Sequence, residues 1–397
     1  MNTVFVFICI ALISTISLHF ILPAFAHSVG LIDHPNHRKT HKGHVPLIGG
    51  IAMYISFIVT LISINISVDY KLAFLISSGI IVFTGLRDDL YTLSAKQRLV
   101  MQSIAALVMA LLGGHVLNDL GAIGHTGEIY SLGEWALPFT VFATVGVINA
   151  LNMSDGIDGL AGGLSLVSLA GFAIAAGMAG MFEELQVLLL LITVVTAFLL
   201  FNFRFPGRPR ALVFMGDAGS TFLGFSLAWF AITLSQGEHR AIAPVTALWI
   251  VALPLLDTVA IMLRRIIKKT SPFIADREHL HHALVLAGVG VAPSTLIIVA
   301  FSISAVAIGL YGHIKDVPEL TMFYLFVATF LFYFIAMKRI WKTLRFIWLS
   351  IERRNKTDRR EGDRRVRSEN KVCNGPERRA SNERRNATDR RGILVPR

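Results

Sequence analysis

The sequence predicts an all-α polytopic membrane protein of about eleven transmembrane helices, followed by a basic tail. Three observations carry that prediction. The 397 residues are 54% hydrophobic and only 16% charged, with a mean hydropathy of +0.62; a soluble domain carries about a quarter charged residues. Apolar runs of membrane-spanning length, roughly 17–25 residues, recur between short polar loops. Lysine and arginine gather in alternate loops. Too many runs are long and uncharged for a large soluble protein with buried helices.

The first span, near 3–25, is apolar from its start. Ala24-Phe25-Ala26 resembles a leader cleavage site, but the run is long, no Lys or Arg precedes it and a basic loop follows, so a retained helix is expected. Further spans are expected near 47–66, 71–86, 98–114, 136–151, 160–180, 185–203, 218–235, 242–263, 291–313 and 319–345. One set of alternate loops holds Arg38, Lys39, Lys42, Arg87, Lys96, Arg98, Arg204, Arg208, Arg210, Arg264, Arg265, Lys268, Lys269 and Arg277. The other holds Lys71, Arg240 and Lys315. The first set is expected on the cytoplasmic face of the membrane, with the N-terminus outside and the C-terminus inside.

The net charge of +11 is then mostly topology, and no nucleic-acid partner is expected. A transmembrane part (1–346) precedes a tail (347–397) that repeats an acidic-Arg-Arg unit, as in Asp358-Arg359-Arg360 and Glu383-Arg384-Arg385. The tail has too few apolar residues for a core, so disorder is expected. It reads as a solvated topogenic segment, or as one that meets anionic lipid head groups. RNA binding is weaker, because no aromatics interleave with the arginines. Cys9 lies in the first apolar run and Cys373 in the tail, a pair that suits neither a disulfide nor a metal site.

Five polar clusters fall on the expected cytoplasmic side. Charge near a membrane is costly and tends to mark function. The first runs from Asp33 through Arg38, Lys39 and His41 to Gly49-Gly50; its cations can hold phosphate oxygens, or serve topology alone. The second is Arg87-Asp88-Asp89. Adjacent carboxylates repel, so a cation between or beside them is expected, and Arg87 is expected to lower their pKa. The third places Asn149, Asn152, Asp155 and Asp158 three residues apart, along one helical stripe suited to a cation, a nucleotide or interhelical hydrogen bonds. The fourth, Phe214-Met215-Gly216-Asp217-Ala218-Gly219-Ser220, sets an acid at a helix start, as a Mg²⁺ ligand or as an N-cap. The fifth, Asp276-Arg277-Glu278-His279-Leu280-His281-His282, follows Arg264-Arg265 and Lys268-Lys269. Without matching Cys or a distant His pair, its histidines suit a diphosphate better than zinc. Together the clusters describe one Mg²⁺-assisted phosphoryl-transfer site with a lipidic and a soluble substrate.

In this order the clusters resemble the polyprenyl-phosphate N-acetylhexosamine-1-phosphate transferases, over roughly residues 1–345. The carrying stretches are Asp33 to Lys39, Val213 to Ser220, and Ser271-Pro272-Phe273 through His282. The resemblance is greatest to the branch that starts O-antigen and enterobacterial common antigen synthesis. It implies a cytoplasmic cleft, dependence on Mg²⁺ or Mn²⁺, and transfer of GlcNAc-1-phosphate from UDP-GlcNAc to undecaprenyl phosphate, releasing UMP. It further implies that Asp217 ligates the metal, joined by Asp88 and Asp155, and that Asp88 and Asp89 assist the attacking lipid phosphate. Asp155 and Asp158, with Asn149 and Asn152, shape the metal and nucleotide site. Asp33, Arg38, Lys39, His41, Arg265, His279, His281 and His282 meet the substrates. Another UDP-sugar, UDP-MurNAc-pentapeptide among them, stays open, as do a phosphorylated-Asp route and a homodimer. A polyprenyl-lipid transporter fits less well, since its polar groups would sit at the bilayer midplane.

Overall fold

The computed structural model describes residues 2–33, 44–63, 71–125, 127–271 and 278–344. Met1–Asp33 and His44–Met337 form one compact unit. His34–Gly43 and Lys338–Arg397 form a second, of which residues 338–344 are described, as helix. The tail predicted at 347–397 lies outside the described residues.

The described chain is nearly all helix, as expected. Its elements are α1 (Asn2–Val29), α2 (Gly49–Ser63), α3 (Lys71–Tyr91), α4 (Ala95–Gly113), α5 (Ala136–Ser154), α6 (Leu160–Ala179) and α7 (Phe182–Asn202). They continue with α8 (Gly216–Thr233), α9 (Pro244–Ile250), α10 (Ala252–Ile267), α11 (Leu280–Leu286), α12 (Val291–Ile314) and α13 (Glu319–Leu344). A small antiparallel ribbon, unforeseen in the sequence, pairs β1 (Ile32–Asp33) with β2 (Val45–Pro46). Local chemistry sets several ends. Ser94 and Gln97 form a reciprocal cap at the start of α4, and Gly114, at φ +70°, ends it.

Among the described residues, seven helices are long and apolar enough to cross a membrane. The bent pair α9 and α10, angled by 82°, would make an eighth. The expected count of about eleven is not confirmed among the described residues. The ninth expected span is broken, α2 is described over 15 residues, and α3 carries Lys71, Arg87, Asp88 and Asp89. The case of α8 is the most instructive. It is rich in Gly, Ser and Thr and is buried along almost its whole length, against α2, α3, α5, α6 and α9. A helix enclosed by other helices needs close packing rather than apolarity.

That packing rests on missing side chains. A Cβ at Gly50 would strike the backbone of Gly219, one at Gly85 the backbone of Ala218, and one at Gly224 the backbone of Ile148. Above these contacts Phe222, Phe225, Trp229 and Phe230 are fully buried, with Phe74 edge-on to Trp229 at 4.9 Å. On the outer helices Phe20, Leu111, Phe301 and Phe332 are exposed, the arrangement a lipid solvent favours. The protein is a multi-pass membrane protein.

Candidate active site

Four helix ends meet at one narrow cavity. Asp88 closes α3, Arg98 and Gln102 open α4, Asn149 and Asn152 close α5, and Asp217 and Thr221 open α8. Helices that arrive alternate with helices that leave, so all four ends lie on one side. The structure thus joins the second, third and fourth sequence clusters.

Asp88 is buried and uses both oxygens. The Leu93 N–H donates to Oδ1 at 2.6 Å, and Arg98 Nη1 donates to Oδ2 at 3.1 Å. Asn152 Nδ2 donates to Asp217 Oδ1 at 2.8 Å and to Ser220 Oγ at 3.0 Å. Asp217 stands one residue before the apolar stretch of α8. Burial pushes its carboxyl up to about 6; the Asn152 hydrogen bond opposes this, and the facing Asp88 adds to it. Asn149 Nδ2 donates to Gln102 Oε1 at 2.6 Å, an amide pair that ties α5 to α4.

Asp89 acts differently from its neighbour. It accepts the Asp217 N–H at 2.8 Å and the Ala218 N–H at 3.2 Å, so it caps α8. Burial, and then the charge of Asp217, raises its carboxyl well above the usual range. The cap expected of Asp217 is therefore made by Asp89. Gly216, at φ +71°, leaves room for that carboxylate.

The single helical stripe expected from Asn149 to Asp158 is corrected. α5 stops at Ser154, because Gly156 and Gly159 favour a turn and Gly159 adopts φ +79°. The four polar side chains consequently part company. Asp155 is exposed at the end of α5 and does not line the cavity. Asp158 pairs with Arg204 Nε at 2.7 Å and accepts the Ala211 N–H at 3.1 Å, which anchors the loop before α8.

The fifth cluster reaches the same turn. His281 is buried against Gly156, where any side chain would collide with its Nε2, and that nitrogen has no hydrogen-bond partner among the described residues. Burial, and then the nearby His282 and His279, lowers its pKa to about 3, so it stays neutral. His279 stacks on His281 at 5.3 Å, and His282 lies 4.2 Å from His281 by ring centroids. Glu278 holds this segment to α10 through Lys268 at 2.7 Å and Arg264 at 3.5 Å. Arg265 is buried in the last turn of α10.

In the first cluster, Asp33 is buried in β1, while Arg38, Lys39 and His41 lie outside the described residues. Gly49 and Gly50 serve packing, and their N–H groups bond to the carbonyls of Phe214 and Met215. Arg87 was expected to lower the pKa of the acids. It is exposed and lies over the Tyr91 ring at 5.6 Å, whereas the cation on Asp88 is Arg98.

Sequence reading assigned no site role to Arg98, Gln102, Asp257 or Tyr333. Gln102 had a signal as an amide among the apolar residues of α4, and so did Asp257, a lone acid inside α10. Tyr333 and Arg98 had none, since one sits in an aromatic-rich span and the other read as topology.

Among the described residues no three Asp, Glu, His or Cys side chains converge as a metal cage. Two facing carboxylates with oxygen-bearing neighbours do suit Mg²⁺, which takes one or two carboxylates and fills its shell with phosphate and water.

Residues 71–235 match the family model described as glycosyl transferase family 4. An undecaprenyl-phosphate alpha-N-acetylglucosaminyl 1-phosphate transferase from Escherichia coli O157:H7 is 39% identical over 343 residues, 86% of this chain and 92% of the relative. The chain belongs to this family. Proteins of the same description from Salmonella typhi (38% over 343 residues; 86% and 92%) and Haemophilus influenzae (37% over 327 residues; 82% and 92%) are also similar. The chain is thus a membrane-embedded enzyme of the transferase class. The family match ends at residue 235, yet the histidine segment beyond it packs onto the Gly156 turn inside the match.

Proposed function

We propose that this chain transfers GlcNAc-1-phosphate from UDP-GlcNAc to undecaprenyl phosphate, giving undecaprenyl-diphospho-GlcNAc and UMP, on the cytoplasmic side of a bacterial inner membrane. The observation that carries the reading is the junction of Asp88, Arg98, Asn152 and Asp217 in one cavity. It pairs oxygen ligands for a hard cation with a fixed positive charge for phosphate. The similar relatives, named for this acceptor and sugar, support it. Among the described residues Lys96, Arg98, Arg204 and Arg208 lie beside these helix ends, which supports the orientation.

In the reaction an oxygen of the lipid phosphate forms a bond to the β-phosphorus, the α–β bridging bond breaks, and its electrons leave with UMP. Mg²⁺, or Mn²⁺ in its place, would be held by Asp217 and Asp88 and would neutralise phosphate charge. Arg98, half-exposed at 39%, orients the acceptor phosphate by a charge-assisted hydrogen bond. Asn152 holds the Asp217 carboxylate in place, and the histidine segment faces the sugar-nucleotide diphosphate. Direct attack is favoured over an aspartyl-phosphate route. A lipid phosphate is itself an anionic nucleophile, so no protein nucleophile is needed.

Purified protein given labelled UDP-GlcNAc, undecaprenyl phosphate and Mg²⁺ is expected to form a lipid-soluble product, and EDTA to stop it. Turnover of UDP-MurNAc-pentapeptide or another UDP-N-acetylhexosamine in its place would overturn the substrate assignment. Asp217→Asn is expected to lower kcat by at least about 100-fold with the melting temperature preserved. Near-normal turnover would remove Asp217 from the reaction.

A further inference from the structure

Asp257 is a buried carboxylate inside the apolar helix α10, where an acid is costly unless it is partnered and used. Its oxygens are fully engaged. Oδ2 lies 2.7 Å from His279 Nδ1, while Oδ1 accepts the Tyr333 hydroxyl of α13 at 2.7 Å and the Leu280 N–H at 3.3 Å. The segment carrying His279 does not need this acid as an anchor. Arg264 Nη2 already holds the Glu278 carbonyl at 3.0 Å, and Lys268 holds the Glu278 carboxylate at 2.7 Å.

The contacts lead from Asp257 to the reaction cavity. His279 stacks on His281 with the planes 15° apart, and His281 abuts Gly156 in the turn that follows Asn152. Asn152 in turn holds Asp217. A carboxylate that accepts from Nδ1 keeps the proton there, leaves Nε2 as the second working nitrogen, and fixes the ring plane. An asparagine cannot replace it. Three donors point at Asp257, and an amide offers one oxygen to accept them and two hydrogens that oppose them.

We propose that Asp257, steadied by Tyr333, is a positioning residue that holds His279 in one tautomer and one ring orientation toward the sugar-nucleotide diphosphate. The inference rests on the transferase reading of the site. Asp257 acts through His279 and touches no substrate itself.

The test measures kcat, KM for UDP-GlcNAc and melting temperature for Asp257→Asn, His279→Gln and the double variant in detergent. Asp257→Asn is expected to lose about 10- to 100-fold in kcat, with KM nearly unchanged. The double variant is expected to fall no further than His279→Gln alone, since residues acting as one unit are not additive. Tyr333→Phe keeps the carboxylate and serves if Asp257→Asn does not fold. It is expected to lose about two- to tenfold in kcat, and nothing when His279 is already Gln. Wild-type turnover in Asp257→Asn or Tyr333→Phe, or losses that multiply in the double variant, would overturn the proposal. A wild-type protein inactive on UDP-GlcNAc would instead overturn the transferase reading.

Discussion

Adjacent acids with the same side chain take up different work here. Asp88 faces the cavity under Arg98, while Asp89 turns away and caps α8. Successive helical residues point about 100° apart, so one location could not have served both. Asp217 faces Asp88 and titrates near 6, the burial of its carboxyl being the main cause. The folded chain holds that proton more tightly than the unfolded chain does. The group therefore favours folding most at acid pH, and the advantage is lost as pH rises through about 6. A divalent cation needs the ionised form and competes with the proton. The Mg²⁺ concentration for half-maximal activity is expected to be flat above about pH 6 and to rise about tenfold per unit below it. A titration at pH 5, 6, 7 and 8 checks this, and an unchanged requirement at pH 5 would refute it. The sequence named Asp88, Asn152 and Asp217 correctly as neighbours. It could not show that Asp158 is tied to Arg204, because that pairing spans a turn whose path depends on Gly156 and Gly159.

At the scale of elements, the central helix sets the geometry. α8 brings Asp217 to the site only because α2, α3 and α5 approach it at glycines. Gly85→Val is expected to drive a side chain into the Ala218 backbone and destabilise the protein by about 1–3 kcal/mol. A lower melting temperature and lost turnover would be seen together. Gly146 on α5 has open space where its Cβ would stand, so Gly146→Val is the matched control and is expected to be tolerated. Equal effects at both positions would show that close approach to α8 is not what Gly85 provides. The helices themselves were legible, since apolar runs of spanning length have few other solutions in lipid. The break between α9 and α10 had a signal that the span reading did not use: Pro254, in the first turn of α10, has no N–H to bond the Ile250 carbonyl and its ring crowds it, which favours the 82° bend.

For the whole molecule, the cavity residues Asp88, Arg98, Asn152 and Asp217 all lie within the first unit. Deleting residues after 350 is expected to leave kcat within about twofold, measured on purified protein with both substrates. A large loss would assign the acidic-Arg-Arg repeats to the reaction. By itself the sequence determined the membrane class, the polar clusters and their order along the chain. Hydropathy and residue chemistry are local properties that survive without a fold. Only the tertiary structure decided which acids share the cavity, that Arg98 and not Arg87 meets Asp88, and that Asp257 stands behind His279. Those pairings join residues on separate helices, and the packing of glycine-lined faces around α8, invisible in any one segment, fixes the distances between them.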